Sequence, residues 1–487
     1  MVEITAENIA DVTGASFAAG NAERVCRGCV IDSRQVETDS IFVAFPGERV
    51  DGNDFAAGAI EHGAGAVIMT REPAADLAAA AGAAGAAILT VEDPTEFMLQ
   101  LASWYRDQFD DVTVVGITGS IGKTTTKDVL SQTLAAAGIC MWVTKGNLNN
   151  LIGMPLTLLS APADTQVLIL EMGMNHMHEI ERLSLAARPD YAVITKVGTS
   201  HIGILGSREN IARAKAEITC GMHANSAEHP SELIMGANDD FCDFIAQGFA
   251  EPADVAVRLV STNPATCALD AGQNAALYRN VRVEEDGCPS FEVAFDDKGG
   301  EPEFRATKLS IPGAQSVQNA VYAAALAYRL GVSWDVIDST LRNLTITGRR
   351  MEVRRAKNGM RLIDDSYNAS PESTAAALDL LCQLPCEGRR IAVLGEIGEL
   401  GDAAPRMHEL VGAYAAGKKL HEVICVGTED AQLMANAAEL MGAMTEVYPD
   451  WRSLLPAEGG PAFEQNDLVL VKGSRFVELD RFVEEVC

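Results

Sequence analysis

The chain has 487 residues, of which 48% are hydrophobic and 6% aromatic, and its 68 acidic against 38 basic residues give a formal charge of −30. That length calls for about three domains rather than one core, and so few aromatics argue against base-stacking platforms for single-stranded nucleic acid. The negative field repels a phosphodiester backbone, so no nucleic-acid partner is expected, although a phosphate loop can still build its own local positive site.

Residues 1–108 read as a first α/β domain, with a strand-like IFVAF between polar turns and an Ala-rich helix within 74–88. Asp32, Ser33 and Arg34 lie between strand-like runs, and on their own they are a turn with a surface arginine. Eleven scattered cysteines make no disulfide framework, and Cys26 and Cys29 form a lone Cys-x-x-Cys that reads as structural, with a metal or redox pair as the alternative. The N-terminal stretch lacks a basic region and a sustained apolar run, and no segment of 18 uncharged apolar residues occurs, so a cytoplasmic protein without membrane insertion is expected.

The second domain, 109–346, opens on VTVVGITGSIGKTTTK at 112–127. A Val-rich strand, a glycine turn and a helix start present backbone N–H groups to an anion. Lys123 can reach terminal phosphates, and the Thr124 hydroxyl can hold magnesium, with Gly119, Ser120, Gly122 and Thr125 completing the loop. The common phosphate loop would carry a glycine at Ile117; here it stands one residue earlier, at Gly116. A helix is expected to about Ala137, then an Asn- and Gly-rich loop at 144–155. The apolar run Val167 to Leu170 ends at Glu171, and the strand-like 191–198 leads to Thr199, Ser200 and His201. Carboxyl ends of buried parallel strands are where α/β proteins bind ligands. A divalent ion between Glu171 and His201, assisted by Thr124, is chemically reasonable, with a hydrogen-bonding surface histidine as the equal alternative. His176 and His178 read as non-ligands, and Lys215, on a helical stretch at 209–222, as solvated. A strand-rich excursion covers 253–310, and a helix at 316–330 closes the domain.

The third domain, 347–487, begins with a hairpin turning at Asn358-Gly359. Strands at 390–395, 421–427 and 467–475 then alternate with helices, predicting an open sheet covered on both faces, with Asp365, Gly395 and Lys472 on its functional rim.

Several of these stretches together resemble the Mur ligase family, the ATP-dependent amino-acid and peptide ligases of peptidoglycan synthesis. They are GITGSIGKTTTK, GNLNNLIGMP, EMG at 171–173, HIGILGSRENIARAKAEI at 201–218, DDSYNASPES at 364–373, GEIGELG at 395–401 and VKGSR at 471–475. The likeness spans nearly the whole chain and implies a three-domain α/β architecture: a UDP-sugar domain, a central P-loop ATPase domain and a Rossmann-like C-terminal domain. Within the family the outer domains are most similar to members that join D-alanyl-D-alanine to UDP-N-acetylmuramoyl-tripeptide. The sister ligase adding a diamino acid to the dipeptide precursor is the alternative, and a folate polyglutamate ligase would lack a segment like 30–55.

The resemblance gives Lys123 the terminal phosphates of ATP, and makes Thr124, Glu171, His201 and Lys215 ligands around a magnesium pair, Lys215 as a carbamate. It makes Asn319 an adenine-side contact, Arg349 a phosphate contact and Asp365 a ribose contact. Ser33 and Arg34 fall where the first domain meets the UDP-sugar, and Asn368 with Lys472, Ser474 and Arg475 where the third domain meets nucleotide and dipeptide. A monomer is expected. Two positions depart from the family pattern. Gly313 is followed by Ala314, Gln315 and Ser316 where Gly-x-His-Asn is usual, and residue 370 is serine in place of asparagine. The reaction implied runs through an acyl phosphate on the tripeptide carboxylate, shielded from water by domain closure.

Overall fold

The computed structural model describes residues 2–47, 49–109, 111–226, 228–262, 274–295, 302–345, 348 and 350–487. Three sheets organise them, together with a small antiparallel pair, Glu3–Thr5 with Val25–Arg27. The first sheet has five strands in the order Ser16–Gly20, Ala87–Thr90, Ala66–Met69, Ile41–Val43 and Cys29–Val30, parallel except for Ser16–Gly20.

The central sheet has nine strands, and its parallel part carries the chemistry. There Thr113–Thr118 lies between Val167–Glu171 and Tyr191–Ile194, with Glu171 opposite Ile117 and Ile194 opposite Thr118. All three strands therefore stop on one rim. Their near-continuous burial is what a parallel sheet covered on both faces requires. One face is covered by the helices Lys123–Ala136 and Gln315–Arg329, where Val129, Leu130 and Leu134 meet the Ala-rich AVYAAALA run. The other face shares a core with the first domain: Leu168, Leu170 and Leu183 join Phe97, Leu101 and Tyr105 of the helix Pro94–Arg106. Tyr105 Oη clasps the joint, accepting from Val2 N–H and donating to the Ala161 carbonyl.

The third sheet runs Glu352–Arg355, Arg361–Asp365, Leu468–Lys472, Arg390–Gly395, Glu422–Val426 and Thr445–Tyr448, parallel apart from the first hairpin. Its helix Pro371–Gln383 starts with a capping box in which Ser370 and Ser373 satisfy each other's backbone N–H. Ser370 is thus tied into a helix start. The strand-like 467–475 ends at Lys472, and the helical stretch 209–222 is α-helical only over Arg208–Ala216 before tightening to 3₁₀.

Candidate active site

The glycine turn after Thr113–Thr118 holds positive φ at Gly119 (+145°) and Gly122 (+94°). A Cβ at Gly122 would come within 2.7 Å of Asn319 Cγ, so that position needs glycine for space as well as conformation. Gly119, Ser120, Gly122, Lys123, Thr124 and Thr125 all line a cleft of roughly 460 Å³ between the central and third domains, as do Glu171, His201, Lys215 and Asn319. The third domain contributes Asp365, Asn368 and Lys472.

Lys123 Nζ donates to the Gly119 carbonyl at 2.8 Å. Burial lowers its pKa, opposed by the Glu171 charge and reinforced by Arg350. Thr124 Oγ1 donates to Glu171 Oε2 at 3.1 Å, and Asn149 Nδ2 donates to Oε1 at 3.0 Å. Both carboxylate oxygens are thereby oriented by groups that a magnesium ion could share or displace. Lys215 is 2% exposed; burial, then the nearby Lys123 charge, push its pKa well below the ordinary lysine value. The expected solvated lysine is therefore a buried amine. Among the described residues no three His, Cys, Asp or Glu side chains converge as a metal cage. A hydroxyl, one carboxylate and one imidazole suit magnesium, which keeps several waters and takes its remaining ligands from phosphates.

His201 Nδ1 lies 2.8 Å from Glu399 Oε2 of the third domain, off the line of a good hydrogen bond. That contact holds the Glu399 carboxyl below the usual range, against the effect of burial. Asp365 Oδ2 receives Lys472 Nζ at 2.6 Å, and the same ammonium donates to the Asn368 carbonyl at 2.9 Å. These two rim residues thus hold each other inside the cleft. Arg349 lies outside the described residues; its neighbour Arg350 lines the cleft and stacks over Tyr367, 4.7 Å from the ring centre.

Two residues expected here, Ser474 and Arg475, do not line this cleft, and Ser33 and Arg34, expected at a UDP-sugar site of the first domain, lie away from it. Ser474 Oγ accepts from Gly398 N–H, and Arg475 is solvent-exposed and paired with Asp480. Ser33 and Arg34 form a 3₁₀ turn on the first domain, where Arg34 is exposed and paired with Asp32. His176 and His178 are exposed beside Glu179 and Glu181. Cys26 and Cys29 are buried thiols, with pKa values pushed up to about 12, chiefly by burial. Sequence reasoning missed Asn149, Glu399 and Arg350 as individuals. Asn149 and Glu399 stood inside stretches already noted, 146–155 and 395–401, but nothing in those stretches singled them out.

Fold and cleft define a three-domain α/β protein built around a phosphate loop of the nucleotide-binding kind. Residues 26–106 match the Mur ligase family catalytic domain, 117–327 the Mur ligase middle domain and 349–475 the Mur ligase glutamate ligase domain. The chain belongs to the Mur ligase family. It is 32% identical to UDP-N-acetylmuramoyl-tripeptide–D-alanyl-D-alanine ligase of Bacillus subtilis, covering 100% of this chain and 99% of the relative. Against the enzyme of that name from Escherichia coli it is 30% identical over 99% and 98%. MurF from Acinetobacter baumannii superposes with a TM-score of 0.82 at 29% identity, over 100% of this chain and 99% of the other. No helix among the described residues is long and apolar enough to cross a membrane.

Proposed function

We propose that the chain joins D-alanyl-D-alanine to UDP-N-acetylmuramoyl-tripeptide at the expense of ATP, giving UDP-N-acetylmuramoyl-pentapeptide, ADP and phosphate. The observation that carries this reading is a phosphate loop and an oriented Glu171 closed over by a third domain, in a chain similar from end to end to ligases of that name. A UDP-N-acetylmuramoyl-L-alanyl-D-glutamate–2,6-diaminopimelate ligase shares the fold at 18% identity, which speaks for architecture alone.

In the first step a carboxylate oxygen of the tripeptide bonds to the γ phosphorus while the bond from that phosphorus to ADP breaks. Lys123, released from the Gly119 carbonyl, offsets charge on the transferred group, and Arg350 adds a second cation at the same end of the cleft. The amine of D-alanyl-D-alanine then attacks the acyl carbon; the amide forms, phosphate departs and the amine loses its proton. Magnesium, bound through Thr124, Glu171 and His201, would supply charge neutralisation and alignment of the phosphates. Asn149 keeps Glu171 turned toward that place. Asp365 and Asn368 are assigned to the ribose and the incoming dipeptide, and Asn319, packed on Gly122, to the nucleotide. Ser33 and Arg34 are assigned to the UDP-sugar.

We also propose that Lys215 is carbamylated. Burial and the nearby Lys123 charge disfavour the charged form of this amine; its neutral form is the nucleophile that adds to carbon dioxide with release of a proton, and the resulting anion pairs with what is otherwise a repulsive cation. Carbon-13 NMR of protein equilibrated with labelled bicarbonate should show one carbamate signal that Lys215→Met removes.

The test of the reaction is mass detection of the pentapeptide product from ATP, magnesium, the tripeptide precursor and D-alanyl-D-alanine. Product formed only from the dipeptide precursor and a diamino acid would refute it.

A further inference from the structure

Two carboxylates of the third domain reach the central-domain segment that follows Tyr191–Ile194. Glu372 Oε2 accepts from Thr199 Oγ1 at 3.0 Å, and Glu399 Oε2 stands 2.8 Å from His201 Nδ1 while the Glu399 carbonyl accepts from Gly203 N–H at 2.9 Å. The phosphate loop is fastened to the same segment, because Gly198 N–H donates to Ser120 Oγ at 2.9 Å. Loop, segment and third domain thus form one connected unit.

The turn bearing Glu399 is held from several sides. Ile397 N–H donates to Nε2 of the fully buried His408, whose Nδ1 faces the Ala404 carbonyl at 2.7 Å. Gly398 N–H donates to Ser474 Oγ. Glu399 itself adopts φ +63° and His201 φ +66°, so two non-glycine residues in the left-handed region face each other across the domain boundary. Such backbone costs on the order of 1–2 kcal/mol per residue and persists where surrounding structure enforces it. A half-exposed surface carboxylate would have no need of that cost.

We propose that Glu399 is a positioning residue: carried on the third domain, it holds His201 by Nδ1 and thereby sets the imidazole of the nucleotide site only when that domain is closed on the central one. A carboxylate on one ring nitrogen fixes the tautomer and orientation of an imidazole and leaves the other nitrogen as its ligand atom. Since the two groups belong to different domains, the imidazole is locked in place by the same movement that excludes water. The contact is close but off-axis. The inference rests on the reading of His201 as a site residue given above.

The test is a double-mutant cycle in the full chain with Glu399→Ala, His201→Ala and the pair, following turnover, calorimetric affinity for magnesium–ADP and the radius of gyration by small-angle scattering. If Glu399 acts through His201, each single variant loses at least tenfold in kcat, and the pair is no slower than His201→Ala alone. Glu399→Gln, which keeps the shape and one acceptor oxygen, recovers part of the loss. Multiplicative losses in the pair, or Glu399→Ala with wild-type kcat and affinity, overturn the proposal. Wild-type turnover in His201→Ala overturns the assignment of His201 itself, and with it the role of Glu399. Should Glu399→Ala fail to fold, Glu399→Gln placed in the same cycle with His201→Ala decides between the same outcomes.

Discussion

Gly203 lies in the short helix Ile202–Leu205, and its φ is not in the left-handed region, so alanine there is conformationally acceptable. Within a helix alanine should gain about 0.5–1 kcal/mol over glycine. Across the domain boundary the outcome reverses. A Cβ on Gly203 would stand 2.6 Å from the Leu400 carbonyl carbon and 2.7 Å from Gly401 Cα, both backbone atoms that cannot swing aside. Reaching ordinary carbon contact near 3.5 Å requires the domains to part by about 1 Å. That breaks the Gly203 N–H to Glu399 carbonyl bond, worth about 1 kcal/mol, and lengthens the His201–Glu399 contact. A displacement of about 1 Å between reacting groups held by two domains costs on the order of 100-fold in rate. The helix gain and the lost bond nearly cancel, so Gly203→Ala is expected to change the melting temperature little, to show a larger radius of gyration with ligands bound, and to lose about 10- to 100-fold in kcat. Wild-type turnover together with unchanged scattering would refute the reasoning.

Lys123→Ala should lower kcat by about 100- to 1,000-fold, since it removes a preorganised cation from the transferred phosphoryl group; steady-state ADP release measures it. Gly122→Ala adds a Cβ at φ +94° against Asn319, and calorimetry should show nucleotide affinity reduced at least tenfold, with stability lowered by the backbone strain of about 1–3 kcal/mol. Asp467 is raised by burial, yet lies net below the ordinary carboxyl value because Arg389 and the N–H groups of Glu464 and Arg389 donate to it. Its folded pKa being depressed, its stabilisation is fully present above the unfolded value of 3.8 and is lost as pH falls through the lower folded value. Asp467→Ala removes charge-assisted hydrogen bonds to a partly exposed Arg389, and should cost about 2 kcal/mol in urea denaturation at neutral pH and flatten the acid limb of the stability curve.

The nucleotide half of the cleft was legible because buried parallel strands are continuous apolar runs. Their ends therefore locate Glu171, His201 and the phosphate loop almost without geometry. Lys215 was not legible from its residues, since a lysine on an amphipathic helix looks solvated until the helix is packed with that face inward; the family resemblance alone marked it. Glu399 and Asn149 act through partners far away in sequence, 198 and 22 residues off, and a glutamate or asparagine in a loop carries no mark of such a partner. Ser474 shows the converse: inside a motif shared with the family, its hydroxyl faces the neighbouring turn and not the cleft.

The central claim is amide formation through an acyl phosphate. Tripeptide precursor labelled with oxygen-18 in its terminal carboxylate should transfer one labelled oxygen to inorganic phosphate for each pentapeptide formed. Amide formation with label absent from phosphate, or found in AMP, would contradict the account.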